Sequence, residues 1–136
     1  MRILYDTDVL LDFILKRETF SDDAKKAIDL CMNKEVQGCI AAHTVTNLHY
    51  ILRKHLTADQ RNAILIRFCT VFTVVGIDAD KLIAALQNVD FTDFEDCLQA
   101  ECAKYFEADY IVTRNTKDYG GSAVPVLEPL EFIKKF

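Results

Sequence analysis

Three aspartates stand close together near the start of the chain, directly after a short apolar run. The stretch ILYDTDVLLDF (residues 3–13) contains Asp6, Asp8 and Asp12. Carboxylates at this spacing repel one another, and a carboxylate beside a buried strand must also lose its water, so it needs polar partners or a cation. Converging carboxylates are the ligands that Mg²⁺ and Mn²⁺ prefer. The stretch therefore predicts part of a divalent-metal site, with Asp6 as its central ligand.

A second group of polar side chains lies far away in sequence. Asp93 and Asp96 fall in the first turn of a predicted helix, and this helix leads into a predicted strand. The segment TRNTKD follows that strand and supplies Thr113, Asn115 and Asp118. Ligand sites of open parallel sheets form at the carboxyl ends of the strands. We therefore expect Asp6, Asp96 and Asp118 to converge at that edge of the sheet.

Some of these acids also have simpler interpretations. Asp8 can act as the cap of the first helix. Asp93 is favourable at a helix N-terminus through the macrodipole alone. Asp12 is interpreted as a solvated or locally paired residue.

Strand-like and helix-like segments alternate along the chain. The predicted strands are Arg2–Tyr5, Gln37–Ala41, Val71–Val75, Tyr110–Thr113 and Val124–Val126. The predicted helices span Val9–Leu15, Ser21–Asn33 with Ser21 as cap, Thr44–His55, Thr57 to about Cys69, Asp78–Leu86, Thr92 to about Phe106, and a terminal segment from Pro129. Thr57 and Thr92 each begin a capping-box pattern. This alternation predicts a three-layer α/β/α sandwich with a central, mostly parallel sheet, in a single domain over residues 1–136.

Composition limits the class of protein. The chain is 51% hydrophobic with a formal net charge of −5, which provides a core and disfavours a protein that coats nucleic acid with a basic surface. Its 5 Cys form no CxxC pair, which favours reduced thiols in the cytoplasm. We expect no signal peptide, because no apolar leader with a cleavage site is evident, and no membrane span.

Three stretches together resemble the PIN domain of VapC-type toxin ribonucleases. They are ILYDTDVLLDFILKR, TNLHYILRK and DFEDCLQAECAKYFEADYIVTRNTKDY, and the resemblance covers nearly the whole chain. It implies an α/β/α domain, a site for Mg²⁺ or Mn²⁺, and hydrolysis of RNA phosphodiester bonds. For many members it also implies a homodimer and inhibition by a small antitoxin.

The resemblance assigns roles position by position. The first family acid matches Asp6, and the third matches Asp96, with Asp93 as a close neighbour. The supporting hydroxyl matches Thr113. The fourth acid commonly follows Thr-Arg directly, where this chain has Asn115, and Asp118 comes three residues later.

The second family acid is the main departure. It is usually a Glu in the helix after the second strand, and it aligns with Asn47, so one negative charge is lost. Asp8, where the family often has Asn, compensates in part. We therefore expect Asn47 to face the acids, and we expect weak Mg²⁺ binding with stronger Mn²⁺ binding. Arg114 and Lys117 are the expected contacts to the RNA backbone.

A different class of function stays open. A PIN-like fold that has lost nuclease activity can serve as a module that binds RNA or protein, and Asn47 favours that interpretation. A phosphatase of the haloacid dehalogenase type also has Asp-x-Asp after a strand, but it needs Thr or Val where this chain has Leu10. The metal-dependent ribonuclease is the preferred prediction.

Overall fold

Short strands and longer helices alternate along residues 1–136, all of which the computed structural model describes. The strands are β1 (Arg2–Tyr5), β2 (Gln37–Ala41), β3 (Thr73–Val75), β4 (Tyr110–Val112) and β5 (Val126–Leu127). The helices are α1 (Thr7–Ile14), α2 (Ser21–Met32), α3 (Ala42–Leu52), α4 (Ala58–Val71), α5 (Ala79–Gln87), α6 (Phe94–Tyr105) and α7 (Pro129–Ile133). A 3₁₀ helix spans Thr116–Tyr119.

All five strands are parallel and form one sheet in the order β3-β2-β1-β4-β5. The central strand is β1, in which Leu4 pairs with Cys39 of β2 on one side and Ile111 of β4 on the other. A strand covered on both faces carries apolar residues without alternation. This explains why Ile3, Leu4 and Tyr5 are all apolar and fully buried.

Two hydrophobic clusters cover the two faces of the sheet. Because successive side chains of a strand point to opposite faces, Ile3 and Tyr5 belong to the larger cluster and Leu4 to the other. The larger cluster is completed mainly by α1, α2, α3 and α4, and the other mainly by α6. The predicted three-layer α/β/α class is therefore confirmed. No helix of this structure combines the length and the apolar character that crossing a membrane requires.

The beginning of α4 follows the predicted capping box. The Gln60 amide donates to Thr57 Oγ1 at 3.2 Å, and the Thr57 amide donates to Gln60 Oε1 at 3.0 Å. The prediction that Ser21 caps α2 was wrong: Ser21 is the first helical residue, and Phe20 precedes it without a side-chain cap.

The predicted capping box at Thr92 was also wrong. The cap of α6 is Asp93, whose Oδ1 accepts a hydrogen bond from the Asp96 amide at 2.9 Å. A charged acceptor makes a stronger hydrogen bond to a helix N-terminus than a hydroxyl does. Glu95, which the capping box would have turned back toward Thr92, is therefore free to make other contacts.

Gly38 lies where the sheet meets α2 and α4. A Cβ atom at this position would lie 2.5 Å from Cys31 Sγ and 3.0 Å from the rings of Phe72 and Tyr5. We predict that Gly38→Ala lowers the free energy of unfolding by about 2 kcal/mol, because overpacking a dense core forces its neighbours apart. Gly76→Ala is the control, since a Cβ there meets nothing within 4 Å. The measurement is the thermal unfolding temperature of each variant. Equal unfolding temperatures for Gly38→Ala and Gly76→Ala would contradict this packing.

Candidate functional site

Asp6 marks the point where the central strand ends and the first helix begins. Its amide donates to the Val112 carbonyl at 3.0 Å, which extends the pairing between β1 and β4 by one residue. Its Oδ1 accepts from the Thr7 amide at 2.7 Å, so Asp6 is also the N-cap of α1. Both roles fix the carboxylate at the carboxyl edge of the sheet, where it is only 6% exposed.

Side chains from two distant segments complete the surroundings of Asp6. Thr113, just after β4, donates through Oγ1 to Asp6 Oδ2 at 2.7 Å. Gln99 of α6 donates through Nε2 to Asp6 Oδ1 at 3.1 Å and to Thr44 Oγ1 at 2.9 Å. Burial raises the pKa of Asp6, although the hydrogen bonds from Thr113 and Thr7 oppose that shift. The carboxylate is thus firmly held in a place where its charge is costly.

Asp8 ties the first turn of α1 to the end of β4. Its Oδ2 accepts from the Arg114 amide at 3.2 Å and lies 3.3 Å from Thr113 Oγ1. Its Oδ1 is buried and has no hydrogen-bond partner. Burial and the nearby charge of Asp6 raise the pKa of Asp8 to about 7. The alternative in which Asp8 caps α1 was wrong, because Asp6 is the cap.

Asp96 approaches from the first turn of α6. Burial is the largest cause of a pKa raised to about 7, and the charges of Asp6, Asp93 and Asp118 contribute to the same shift in that order of importance. The hydroxyl of the buried Tyr119 lies 3.5 Å from Asp96 Oδ1. The Asp96 carboxylate is therefore repelled by Asp6, by Asp118 and by Asp93, the cap of its own helix.

A cavity of about 350 Å³ lies beyond the carboxyl ends of β1 and β4 and is lined by residues of α1, α3 and α6. Five of the residues singled out in the sequence line it: Asp6, Asp8, Asn47, Asp96 and Asn115. Three helices and the ends of two strands thus bring residues from four distant parts of the chain to one place.

Other predicted site residues lie beside the cavity. Thr113 is fully buried behind Asp6. Asp93 is occupied as the cap of α6, and Asp118 is exposed in the 3₁₀ helix. Asp118 still acts on the site, because its charge contributes to the raised pKa of Asp96.

The two basic residues expected to contact RNA differ in their surroundings. Arg114 donates through Nη2 to Asp12 Oδ1 at 3.1 Å and through Nε to Oδ2 at 2.5 Å, and its guanidinium lies 4.0 Å from the centre of the Phe20 ring. Asp12 is 1% exposed, so it belongs to the locally paired alternative of the sequence interpretation. Lys117 is exposed in the 3₁₀ helix.

Among the other polar residues that line the cavity, His43, Glu95 and Gln99 were not singled out in the sequence. Glu95 Oε2 accepts from Asn47 Nδ2 at 3.3 Å. Gln99 is 2% exposed, and its Oε1 has no hydrogen-bond partner. Their spacing is the signal that could have found them, because residues four apart share a helix face. Glu95 and Gln99 form such a pair on α6, as do His43 and Asn47 on α3.

Comparison with known proteins identifies the family. The PIN domain model matches residues 2–117, so the chain belongs to the PIN domain family. No curated protein sequence matches it.

Solved structures share the fold at low sequence identity. VapBC2 from Rickettsia felis, bound to a DNA fragment of its promoter, is 17% identical with a TM-score of 0.69 and covers 94% of this chain and 98% of its own. FitAcB from Neisseria gonorrhoeae is 20% identical with a TM-score of 0.71, covering 94% and 98%. VapC20 from Mycobacterium tuberculosis, described as a sarcin-ricin loop cleaving toxin, is 17% identical with a TM-score of 0.63, covering 80% and 86%.

The donor atoms around the cavity fit a hard divalent cation. Asp8 Oδ1 and Gln99 Oε1 are buried oxygens without partners, and buried polar atoms are normally satisfied. A cation would also relieve the repulsion that raises the pKa values of Asp8 and Asp96. As the side chains stand, no three His, Cys, Asp or Glu residues are grouped closely enough to hold an ion. Binding would therefore require the carboxylates that line the cavity to move closer together.

The raised pKa values predict how stability depends on pH. Because Asp8 and Asp96 have a pKa of about 7 in the folded protein, above the unfolded value, their favourable contribution is complete below about pH 4 and is lost as pH rises through 7. We predict that the metal-free protein loses stability between pH 5 and pH 8, and that Asp96→Asn reduces this loss. Urea unfolding across this pH range measures it.

Asp59→Asn is the matched control for this measurement, because Asp59 is an exposed carboxyl in the first turn of another helix, α4. It should leave the pH dependence of the wild type unchanged. An identical pH dependence in the wild type and in Asp96→Asn would show that Asp96 does not have the environment described here.

Proposed function

We propose that this protein is a divalent-metal-dependent endoribonuclease and the toxin of a toxin–antitoxin pair. The observation that supports this most directly is the position of Asp6. It is a buried carboxylate at the end of the central strand, and it lines a cavity together with Asp96 and with Asp8 and Gln99, each of which has a buried oxygen without a partner. Membership of the PIN domain family supports the same conclusion.

The residues of the cavity have separate roles in this proposal. Asp6 and Asp96 would hold the cation directly, and Asp8 would add a further negative charge to the site. Asn115, Asp93 and Asp118 act through water molecules, since Mg²⁺ retains several waters in proteins, and Asn47 acts through its hydrogen bond to Glu95. Thr113 and Gln99 hold Asp6 in its orientation through the hydrogen bonds described above.

A divalent cation bound here, Mg²⁺ or Mn²⁺, supplies Lewis acidity toward the phosphate and makes a water molecule more acidic. The protein's own contribution is to hold the carboxylates that bind the cation. Without a cation, these carboxylates would repel the RNA phosphates. Lys117, exposed in the 3₁₀ helix near Asn115, binds a backbone phosphate. Arg114 contributes less than its sequence position suggests, because Asp12 already pairs with its guanidinium.

The proposed partners follow from the solved structures of similar fold. Rickettsia felis VapBC2 and a Klebsiella pneumoniae protein that shares the fold at 21% identity and a TM-score of 0.71 were solved as toxin–antitoxin complexes. We propose that this chain likewise binds a small antitoxin, forms a homodimer and acts in the cytoplasm.

A second candidate function is a PIN-fold module that binds RNA or protein without cleaving it. Two observations favour it: Asn47 stands where the resemblance implies an acid, and no three metal-binding side chains are grouped in the structure. The two functions differ in whether bound RNA is cut when Mn²⁺ is present.

Asp6→Asn separates the two functions, because the variant preserves the local hydrogen bonds. The amide Oδ1 can still accept from Thr7 and Gln99, and Nδ2 can donate to Thr113 Oγ1, whose proton then turns to Asp8. We predict that Asp6→Asn folds and lowers Mn²⁺-dependent cleavage of labelled RNA by about 100-fold or more.

Asp22→Asn, on the exposed first turn of α2, serves as the control and should cleave like the wild type. Cleavage that survives both Asp6→Asn and chelation of metal would refute the proposed chemistry. RNA binding without cleavage in wild type and variant alike would establish the binding module instead.

A further inference from the structure

Asn47 and Glu95 form a pair at the mouth of the cavity. Asn47 lies on α3 and Glu95 in the first turn of α6, and Asn47 Nδ2 donates to Glu95 Oε2 at 3.3 Å. Both side chains line the cavity that contains Asp6. The amide thus holds a carboxylate close to the place where the resemblance implies a carboxylate on α3 itself.

The same cavity contains a second observation that indicates a ligand. Gln99 lies one helical turn after Glu95 on the same face of α6, and it is 2% exposed. Its Oε1 has no hydrogen-bond partner, although its Nε2 donates to Asp6 and Thr44. Gln99 is itself a lining residue of the cavity, and a buried oxygen without a partner is suited to accept a hydrogen bond from a bound group.

The number of carboxylates in the cavity indicates that acids missing from some implied positions are replaced by acids at others. Asn47 and Asn115 stand where the resemblance implies acids, yet four carboxylates still line the cavity: Asp6, Asp8, Glu95 and Asp96. Two acids are absent from their implied positions, and Asp8 and Glu95 add two at others. Glu95 is the one in direct contact with Asn47.

We infer that Glu95 supplies the carboxylate that α3 lacks at Asn47, and that Asn47 is a positioning residue that turns Glu95 into the cavity. The inference rests on the proposed function, since both concern the same cation site. It changes the expectation drawn from Asn47 alone, because the charge is moved from α3 to α6 and is not lost. It also explains why α6 uses Asp93 as its cap, which leaves Glu95 available.

Mn²⁺ titration by calorimetry tests this inference on the intact chain, without any activity measurement. Glu95→Gln should weaken Mn²⁺ binding by about tenfold or more, because one charge within a few Å of the ion is lost. The exchange variant Asn47→Glu with Glu95→Gln returns the charge to α3, and it should recover the wild-type affinity to within about threefold. Glu101→Gln, an equal change of charge on α6 outside the cavity, is the control and should bind like the wild type.

The role of Asn47 is tested by Asn47→Ala in two backgrounds. It should weaken Mn²⁺ binding when Glu95 is present and have no further effect in Glu95→Gln, because its role acts through Glu95. A purely structural role of Asn47 would lower affinity equally in both backgrounds.

The outcomes separate this inference from the proposed function. Wild-type affinity in Glu95→Gln, together with lost binding in Asp6→Asn, would overturn the role of Glu95 and leave the proposed function standing. Failure of the exchange variant to recover binding would overturn the equivalence of the two positions. Absence of Mn²⁺ binding in the wild type itself would overturn both proposals.

Discussion

The structure depends on one buried carboxylate. Asp6 ends the central strand, caps α1, and accepts hydrogen bonds from Thr113 beyond β4 and from Gln99 on α6. These contacts join the sheet to helices on both of its faces at a single point. Because an ionised group is costly to bury, burial raises the pKa of Asp6, while the hydrogen bonds from Thr113 and Thr7 favour its ionised form.

The charges around Asp6 divide into two regions with different chemistry. On one side, Asp12 is neutralised by Arg114 and Arg17, so this carboxylate has a structural role beneath the surface. On the other side, Asp8 and Asp96 have no comparable cationic partner at the cavity, and both have a pKa raised to about 7. Around Asp6, the fold therefore leaves negative charge uncompensated on the side where a cation is proposed to bind.

Most of the architecture could be predicted from the sequence, because short apolar runs and longer amphipathic segments alternate, although Val71 ends α4 where a strand was predicted to begin, and β5 is Val126–Leu127. The rule that sites form at strand ends also placed Asp6 and Asp96 at one cavity before any contact was known. Glu95 was missed for a physical reason. The capping-box pattern at Thr92 assigned its side chain to the helix start, whereas Asp93 performs that role. Which face of α6 meets the cavity depends on how Cys97, Ala100 and Ala103 pack, and a local pattern does not contain that information.

The central claim is that Asp6 and the acids of α6 converge on one cation. The most direct measurement is anomalous diffraction from crystals of the protein grown with Mn²⁺ at pH 8, where the carboxyls with a pKa of about 7 are ionised. The account predicts a manganese peak in the cavity, within about 2.5 Å of an Asp6 oxygen and of a carboxylate oxygen from Asp96 or Glu95. An empty cavity at saturating Mn²⁺, or a peak bound only to acids outside it, would contradict the account.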